Sequence, residues 1–354
     1  MWGLMKKFFY IVFVLGLLLV ACSKDDNAST HDDKDSARDP KDDLHGDYQY
    51  PLTGLYTNDP VDGRIIAVMI NNHTEARPQS GLSQADIVFE ILAEANITRF
   101  LALFQSEVPE MIGPVRSARE YYFKLADGYD ALYVYHGAAD FIDEMIVSQG
   151  LPFLNGAAYD NDGHLFKRES FRRAPHNSYL LAHAVYEVAE SKGYETTIEY
   201  EPLTFLEPEQ VNEIEGEPAQ HVEIVYSNSP IEIVEFAFDE EAGTYKRFND
   251  REQTVEYDTG EPIEFANVLI IETYHEVIDD QGRRAVDLDS GGNAYLIQNG
   301  KAQKVEWEND DGRIIPVQDG KPLGFIPGKT WVNVVPTNPG MEQSVTISAE
   351  HSSE

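Results

Sequence analysis

Residues 64–70 read Arg-Ile-Ile-Ala-Val-Met-Ile, an apolar run that stops at Asn71-Asn72-His73. A run this short, closed by polar residues, is expected to be a buried strand. Two further segments rich in β-formers follow at 86–93 and 97–104, with Ala95-Asn96 between them. Asn takes the positive φ of a tight turn, so the pair is read as a hairpin. A helix over 86–95 is the competing reading, since Ile87, Ile91 and Ala95 recur at four-residue spacing.

Pro114 can open a helix, because its fixed φ and missing N–H cost nothing in the first turn. Residues 115–127 would continue it, with Val115, Ala118, Tyr122 and Leu125 on one face. Residues 131–137 read as a strand running into a turn at Gly137. Helices are expected over 138–148 and over 180–192, the second stopped by Gly193. Alternating strands and helices imply a mixed α/β layer with crossover helices.

From Glu195 the composition changes. Residues 195–280 hold 24 acidic residues against 3 basic ones, Lys246, Arg247 and Arg251. Alternating runs at 221–226, 231–238, 244–248, 254–257, 267–273, 294–298, 304–307 and 330–335 are separated by Gly and Asp-Gly turns, so this half is expected to be mostly antiparallel β. The fold class is mixed, α+β. The expected layout is an α/β domain over 48–195, a β-rich acidic domain over 196–340, a seam near 195–220 and a flexible tail over 341–354.

The first residues stand apart. Lys6 and Lys7 precede an apolar stretch over 8–20, broken only by Gly16, and then Ala21-Cys22. Thirteen residues at about 1.5 Å each span roughly 20 Å, short of a roughly 30 Å hydrocarbon core. The layout is that of a signal peptide over 1–21. Leu19-Val20-Ala21-Cys22 resembles the bacterial lipobox, in which the cysteine is lipidated and becomes the mature N-terminus. Cys22 is the only cysteine, so no intramolecular disulfide and no catalytic thiol is available. Residues 22–47 are acidic, nearly devoid of apolar side chains, and expected to be a disordered tether.

The chain carries 62 acidic against 27 basic residues, a formal net charge of −35. Such a surface repels nucleic acid and anionic lipid, leaving a lipid on Cys22 to hold the bilayer. Few bases remain to be spent, yet Arg77, Arg99, Arg116 and Arg119 sit among the apolar runs. Lys167, Arg168, Arg172 and Arg173 follow, leading into Ala174-Pro175-His176-Asn177. The planar fork of Arg suits carboxylate or phosphate, which points to a local anion site. On a helix starting at Pro114, Arg116 and Arg119 would be neighbours at an anion-attracting N-terminus. The competing reading is that these arginines neutralise surrounding carboxylates in structural ion pairs.

Several linked motifs occur in order: Asn71-Asn72-His73, Ala76-Arg77-Pro78-Gln79-Ser80-Gly81-Leu82, Ile97-Thr98-Arg99-Phe100, Gly113-Pro114-Val115-Arg116-Ser117-Ala118-Arg119, Ala174-Pro175-His176-Asn177 and Gly328-Lys329-Thr330-Trp331-Val332. Together they resemble the YerB-type lipoproteins of Gram-positive bacteria, over essentially the whole chain after Cys22. The resemblance implies a three-layer α/β N-terminal part and an extracellular, membrane-anchored protein. It implies no activity. Ala95-Asn96 departs from the Gly-Gly that the family tends to carry there, a change that still permits a turn.

Catalytic templates are mostly missing. There is no Gly-x-Ser-x-Gly elbow, no phosphate-binding Gly-x-x-x-x-Gly-Lys loop and no His-Glu-x-x-His helix. Ser117 lies between two arginines without a neighbouring base. His73, His136, His164 and His176 are not at metal-ligand spacing on one element, so neither a metal nor a cofactor is expected. Two readings of the site remain. One is a pocket for an anionic envelope component or an acidic partner segment, lined by Arg77, Arg99, Arg116, Arg119, Arg168, Arg172, His176 and Asn177. The other is a wall-modifying hydrolase using His136, His176 and Glu90 or Glu94. A non-catalytic envelope scaffold, docking a basic partner on the acidic β half, is a third.

Overall fold

A computed structural model describes residues 46–226 and 233–350; the expected signal peptide, Cys22 and nearly all of the acidic stretch 22–47 lie outside the described residues. The strand expected at 64–70 is Ile66–Asn71 (β1), buried along its whole length. Ile66, Val68 and Ile70 enter one hydrophobic core and Ala67 and Met69 another. A strand covered on both faces has no polar side, which explains the unbroken run. The hairpin also forms, from Ile87–Leu92 (β2) and Thr98–Phe104 (β3) paired antiparallel. Ala95 turns it at φ 52°.

β3 continues the sheet by pairing antiparallel with β1. Helix Glu120–Gly128 (α1) leads into Leu132–Tyr135 (β4), which joins β1 in parallel. Helix Asp140–Gln149 (α2) then leads into Phe153–Asn155 (β5), parallel to β4. Two expected helices come out differently. Residues 113–119 are extended, and the helix begins only at Glu120 with Arg119 as its N-cap. The backbone there is captured by strand edges: Asn71 N–H donates to Pro114 O (2.9 Å), Val115 N–H to Ser178 O (2.7 Å) and Arg116 N–H to Met69 O (2.9 Å). Arg116 and Arg119 therefore do not share a helix face. Of residues 180–192, only Val185–Ser191 (α3) is α-helical. Ser178–Leu181 is a strand, drawn into a small sheet with Met111–Ile112 and Phe166–Arg168.

In the acidic half, His221–Val225 (β6), Ile233–Asp239 (β7) and Thr244–Asn249 (β8) form an antiparallel second sheet. Residues 254–257 are not a strand. Thr254 N–H returns to Arg247 O (2.8 Å), and the Glu256 carboxylate accepts from Gly81 N–H (2.8 Å) and from the N–H and hydroxyl of Ser83 (3.1 and 2.9 Å). Asn267–Thr273 (β9), Gly292–Gln298 (β10), Lys301–Asp310 (β11) and Arg313–Gln318 (β12) follow as antiparallel neighbours. Thr330–Pro336 (β13) lies between β9 and β2, parallel to both.

One sheet therefore runs β12-β11-β10-β9-β13-β2-β3-β1-β4-β5 through both halves of the sequence. The seam expected at 195–220 does not separate two sheets. α1 and α2 cover one face through Tyr121, Tyr122, Leu125, Ile142 and Ile146. The second sheet and α3 cover the other through Val222, Phe236, Tyr245, Val185 and Val188, with Trp331 of β13 in the same core. The tail is also more ordered than expected up to residue 350. Met341–Ser344 is a helical turn and Val345–Ser348 (β14) pairs antiparallel with β6. Ile347 and Val345 pack on the core, which gives this stretch an apolar reason to dock.

Candidate functional site: the carboxyl ends of two parallel strands

β1 and β4 run in parallel and end side by side, the kind of edge where open α/β sheets hold ligands. The extended segment 113–119 crosses these ends. Arg116 N–H bonds Met69 O of β1, and Arg116 O accepts from His136 N–H (2.9 Å) just past β4. Arg116 is thereby pinned between the two strands by its own backbone.

Its side chain is half-buried, and its Nε is buried without a hydrogen-bond partner. Among the described residues it forms no ion pair. Burial, reinforced by the charge of Arg99, pulls its guanidinium down to about 10. Beside it His176 is buried, with Nδ1 2.9 Å from Asn71 Nδ2 and its ring 4.6 Å from that of His73. Since the Asn71 amide donates, His176 Nδ1 is the acceptor and the proton of the neutral ring sits on Nε2. Burial, His73 and Arg116 all push His176 toward that neutral form. The exposed carboxylate of Glu75 lies 3.9 Å from Nε2 and acts the other way.

The other expected site arginines are occupied. Arg77 pairs with Asp250 at 2.6 Å and donates to Asn72 O and Oδ1. Arg99 and Arg119 converge on the Glu94 carboxylate, and Arg99 also donates to Ser117 O (3.0 Å). Burial pulls both guanidiniums down. Arg168 bridges Asp160 (2.7 Å) and Asn177 Oδ1 (2.9 Å). Arg172 donates to Glu75 O (3.1 Å) and to Pro78 O, and lies over the Tyr257 ring at 5.5 Å. The eight-residue pocket is thus not assembled as one surface. Arg116 and His176 are brought together, with Arg99 acting on the first and Arg172 on the second, and the other arginines are engaged in the contacts above.

The acid–base pair is likewise not formed. Glu90 lies on the sheet face shared by Phe100 and Trp331, while Glu94 binds arginines on the face of Tyr121 and Tyr133. Glu90 is fully buried, held by Arg247 Nη2 (3.0 and 2.9 Å), Thr98 Oγ1 (2.8 Å) and Trp331 Nε1 (3.0 Å). His136 contacts Asp160 (3.3 Å), and Ser117 Oγ donates to His136 O (3.3 Å). Glu90 and Glu94 thus face opposite sides of the sheet and do not flank one bond as a glycosidase pair would.

The family described as "Protein of unknown function (DUF3048)" matches with its N-terminal domain over residues 52–195 and its C-terminal domain over 222–332. A curated relative from Bacillus subtilis (strain 168), "Putative lipoprotein YerB", is 45% identical over 290 residues, covering 81% of this chain and 86% of the relative. The chain belongs to this YerB-type lipoprotein family. The crystal structure of the YerB protein from Bacillus subtilis superposes with a TM-score of 0.78 at 42% identity, covering 85% of this chain and 99% of that one. The mixed α/β architecture is shared with that relative. The family is defined without an activity, so the chemistry must be argued from the site.

Sequence reasoning missed Arg247, although a signal existed: it is one of three bases kept in a stretch of 24 acids. Its partner Trp331 lies in β13, 241 residues from Glu90, beyond any local pattern.

Proposed function

We propose that this lipoprotein is held on the outer face of the cytoplasmic membrane by a lipid on Cys22 and presents a small anion-recognition site centred on Arg116. No helix among the described residues is long and apolar enough to cross a membrane. One observation carries the anion reading. The chain holds 62 acidic residues, yet among the described residues the half-buried Arg116 has no carboxylate partner, although nearly every buried guanidinium around it has been given one. Burying an unpaired cation is expensive, so the missing charge is best supplied from outside. Neutral His176 adds an Nε2 donor, and the ends of β1 and β4 fix both groups on rigid elements. An anionic group of an envelope component or of a partner segment is the class that fits.

Thermal shift at constant ionic strength tests this with inorganic phosphate and acetate, on the parent and on Arg116→Ala. A ligand at 100 times its Kd raises stability by about 2.7 kcal/mol. The expected result is a saturable shift in the parent that Arg116→Ala abolishes. An equal shift in both proteins, or none in the parent, overturns the site. Separately, Cys22→Ser is expected to release the protein into the medium; retention at the membrane would refute the anchor.

A further inference from the structure

We infer that a cleft at a sheet edge in the acidic half receives an extended basic peptide segment of a partner protein, with Lys or Arg at alternate positions. The cleft is a cavity of about 630 Å³, lined by residues 213–217, by Ala302, Gln303 and Lys304 of β11, and by Leu323. It contains neither Arg116 nor His176 and does not depend on the anion site.

The cleft opens where the sheet is incomplete. β11 pairs with β10 over residues 301–307. On its other side the short strand Glu217–Pro218 reaches only Lys301 and Ala302, and β12 takes over at Glu306. Among the described residues no strand covers 303–305 on that side. Gly216 permits the close approach beside this gap, since a Cβ there would lie 2.6 Å from Ala302 O. The walls are tied from behind: Asn299 Nδ2 donates to Val211 O (3.2 Å) and Leu206 N–H to Phe325 O (2.8 Å). A fixed gap in a sheet edge suits the addition of an extended peptide.

Charge and spacing name the peptide. Glu213, Glu215 and Glu217 recur at every second position, all three line the cleft, and all are exposed. An extended chain returns to the same side about every 7 Å, so a peptide with cations at alternate positions can set one against each carboxylate. Leu206, Ile214 and Leu323 in the lining suit apolar side chains between those cations. The one base in the lining is Lys304, exposed, with Nζ 5.9 Å from the Tyr295 ring centroid. A neighbouring cavity of about 400 Å³ shares Tyr295 and Lys304 and adds Glu272 and Glu342 without a further base. Next to the lining in sequence, Glu207, Glu209, Glu306 and Asp319 outnumber Lys301 and Lys321. The complement of this edge is positive.

The test titrates the full-length protein, in neutral detergent at fixed low ionic strength, with acetyl-Lys-Val-Lys-Val-Lys-amide by calorimetry. Acetyl-Lys-Lys-Lys-Val-Val-amide has the same composition and charge without the alternation. The alternating peptide is expected to bind saturably and about five-fold tighter than the sorted one. Glu213→Gln/Glu215→Gln/Glu217→Gln should weaken it about ten-fold. Glu240→Gln/Glu241→Gln/Glu276→Gln removes as much charge outside the cleft and should change it less than about two-fold. Lys304→Gln should tighten it about two-fold. All of these side chains are exposed, so the variants are expected to fold. No saturable binding, equal binding of the two peptides, equal effects of the two triple variants, or weaker binding by Lys304→Gln would overturn the assignment.

Discussion

Breaking the Glu90–Arg247 pair is the sharpest test of how this chain spends its charges. Both side chains are essentially inaccessible, at 0% and 1% exposure. The carboxylate accepts from three different side chains, and the guanidinium lies 4.5 Å from the Trp331 ring centroid and 5.2 Å from that of Phe100. Glu90→Gln keeps the shape but places an NH₂ where only acceptors served, facing the donors of Arg247 or Trp331, and leaves Arg247 uncompensated. Removing one partner of such a pair costs about 3–5 kcal/mol. Arg247→Met should cost a similar amount, since it strands the carboxylate with only Thr98 and Trp331. The double variant Glu90→Leu/Arg247→Met removes both charges and should cost at least about 2 kcal/mol less than the two single losses combined. Urea unfolding of the four proteins measures the cycle. A loss below about 1 kcal/mol for Glu90→Gln would refute the reasoning and return Glu90 to the list of available acids.

Other outcomes follow from the same geometry. Arg116→Met, in the absence of ligand, should leave stability unchanged or raise it by about 1 kcal/mol after allowance for solvent screening, because burial and Arg99 already disfavour that cation; a clear loss would mean that it has a structural partner. His275 has both ring nitrogens buried without partners, and burial, then Arg284, lowers its pKa from 6.5 to about 3. The folded protein therefore stays unprotonated where the unfolded chain takes up a proton, so stability is lost as pH falls below 6.5, down to about 3. Between pH 7 and 5 this amounts to about 2 kcal/mol, which His275→Leu should remove from the urea-derived pH profile; an identical profile would contradict it. A Cβ on Gly128, at the end of α1, would collide with the backbone of Gly312 in the β11–β12 turn, so Gly128→Ala should lower stability by about 1–3 kcal/mol in the same assay. Ending the chain at Gly340 would bare the edge of β6 and the apolar surface under Val345 and Ile347, and hydrogen exchange should then show β6 opening more readily.

How much of this was legible in the sequence depends on whether the deciding contact was local. β1, the hairpin of β2 and β3, β4 and α2 were readable, because an apolar run of strand length or a residue that tolerates positive φ acts over a few positions. Residues 113–119 were not. Pro114 is compatible with a helix start, but the carbonyls of Met69 and Ser178 and the N–H of Asn71, more than 40 residues away, offered strand bonds to the same backbone. The tail misled for a similar reason, since its partner β6 begins at His221, over 120 residues earlier.

The arginines show the limit most clearly. Spacing identified them as a set, yet which are available for a ligand depends on which face of a strand each one leaves. Arg99 and Glu94 meet on the α1 face because β3 and the turn after β2 present them there. Glu90, four residues before Glu94, faces the opposite core and waits for Arg247 from β8. Pairing thus consumes the cations one at a time, and the functional candidate is the remainder. Arg116 is left because the backbone bonds that hold 113–119 across β1 and β4 place its side chain at the sheet's edge, beside Arg99 and His176, where among the described residues no carboxylate pairs with it. A chain with more than two acids for every base has ample means to neutralise one more guanidinium. That it does not do so among the described residues is the physical ground for looking to a ligand.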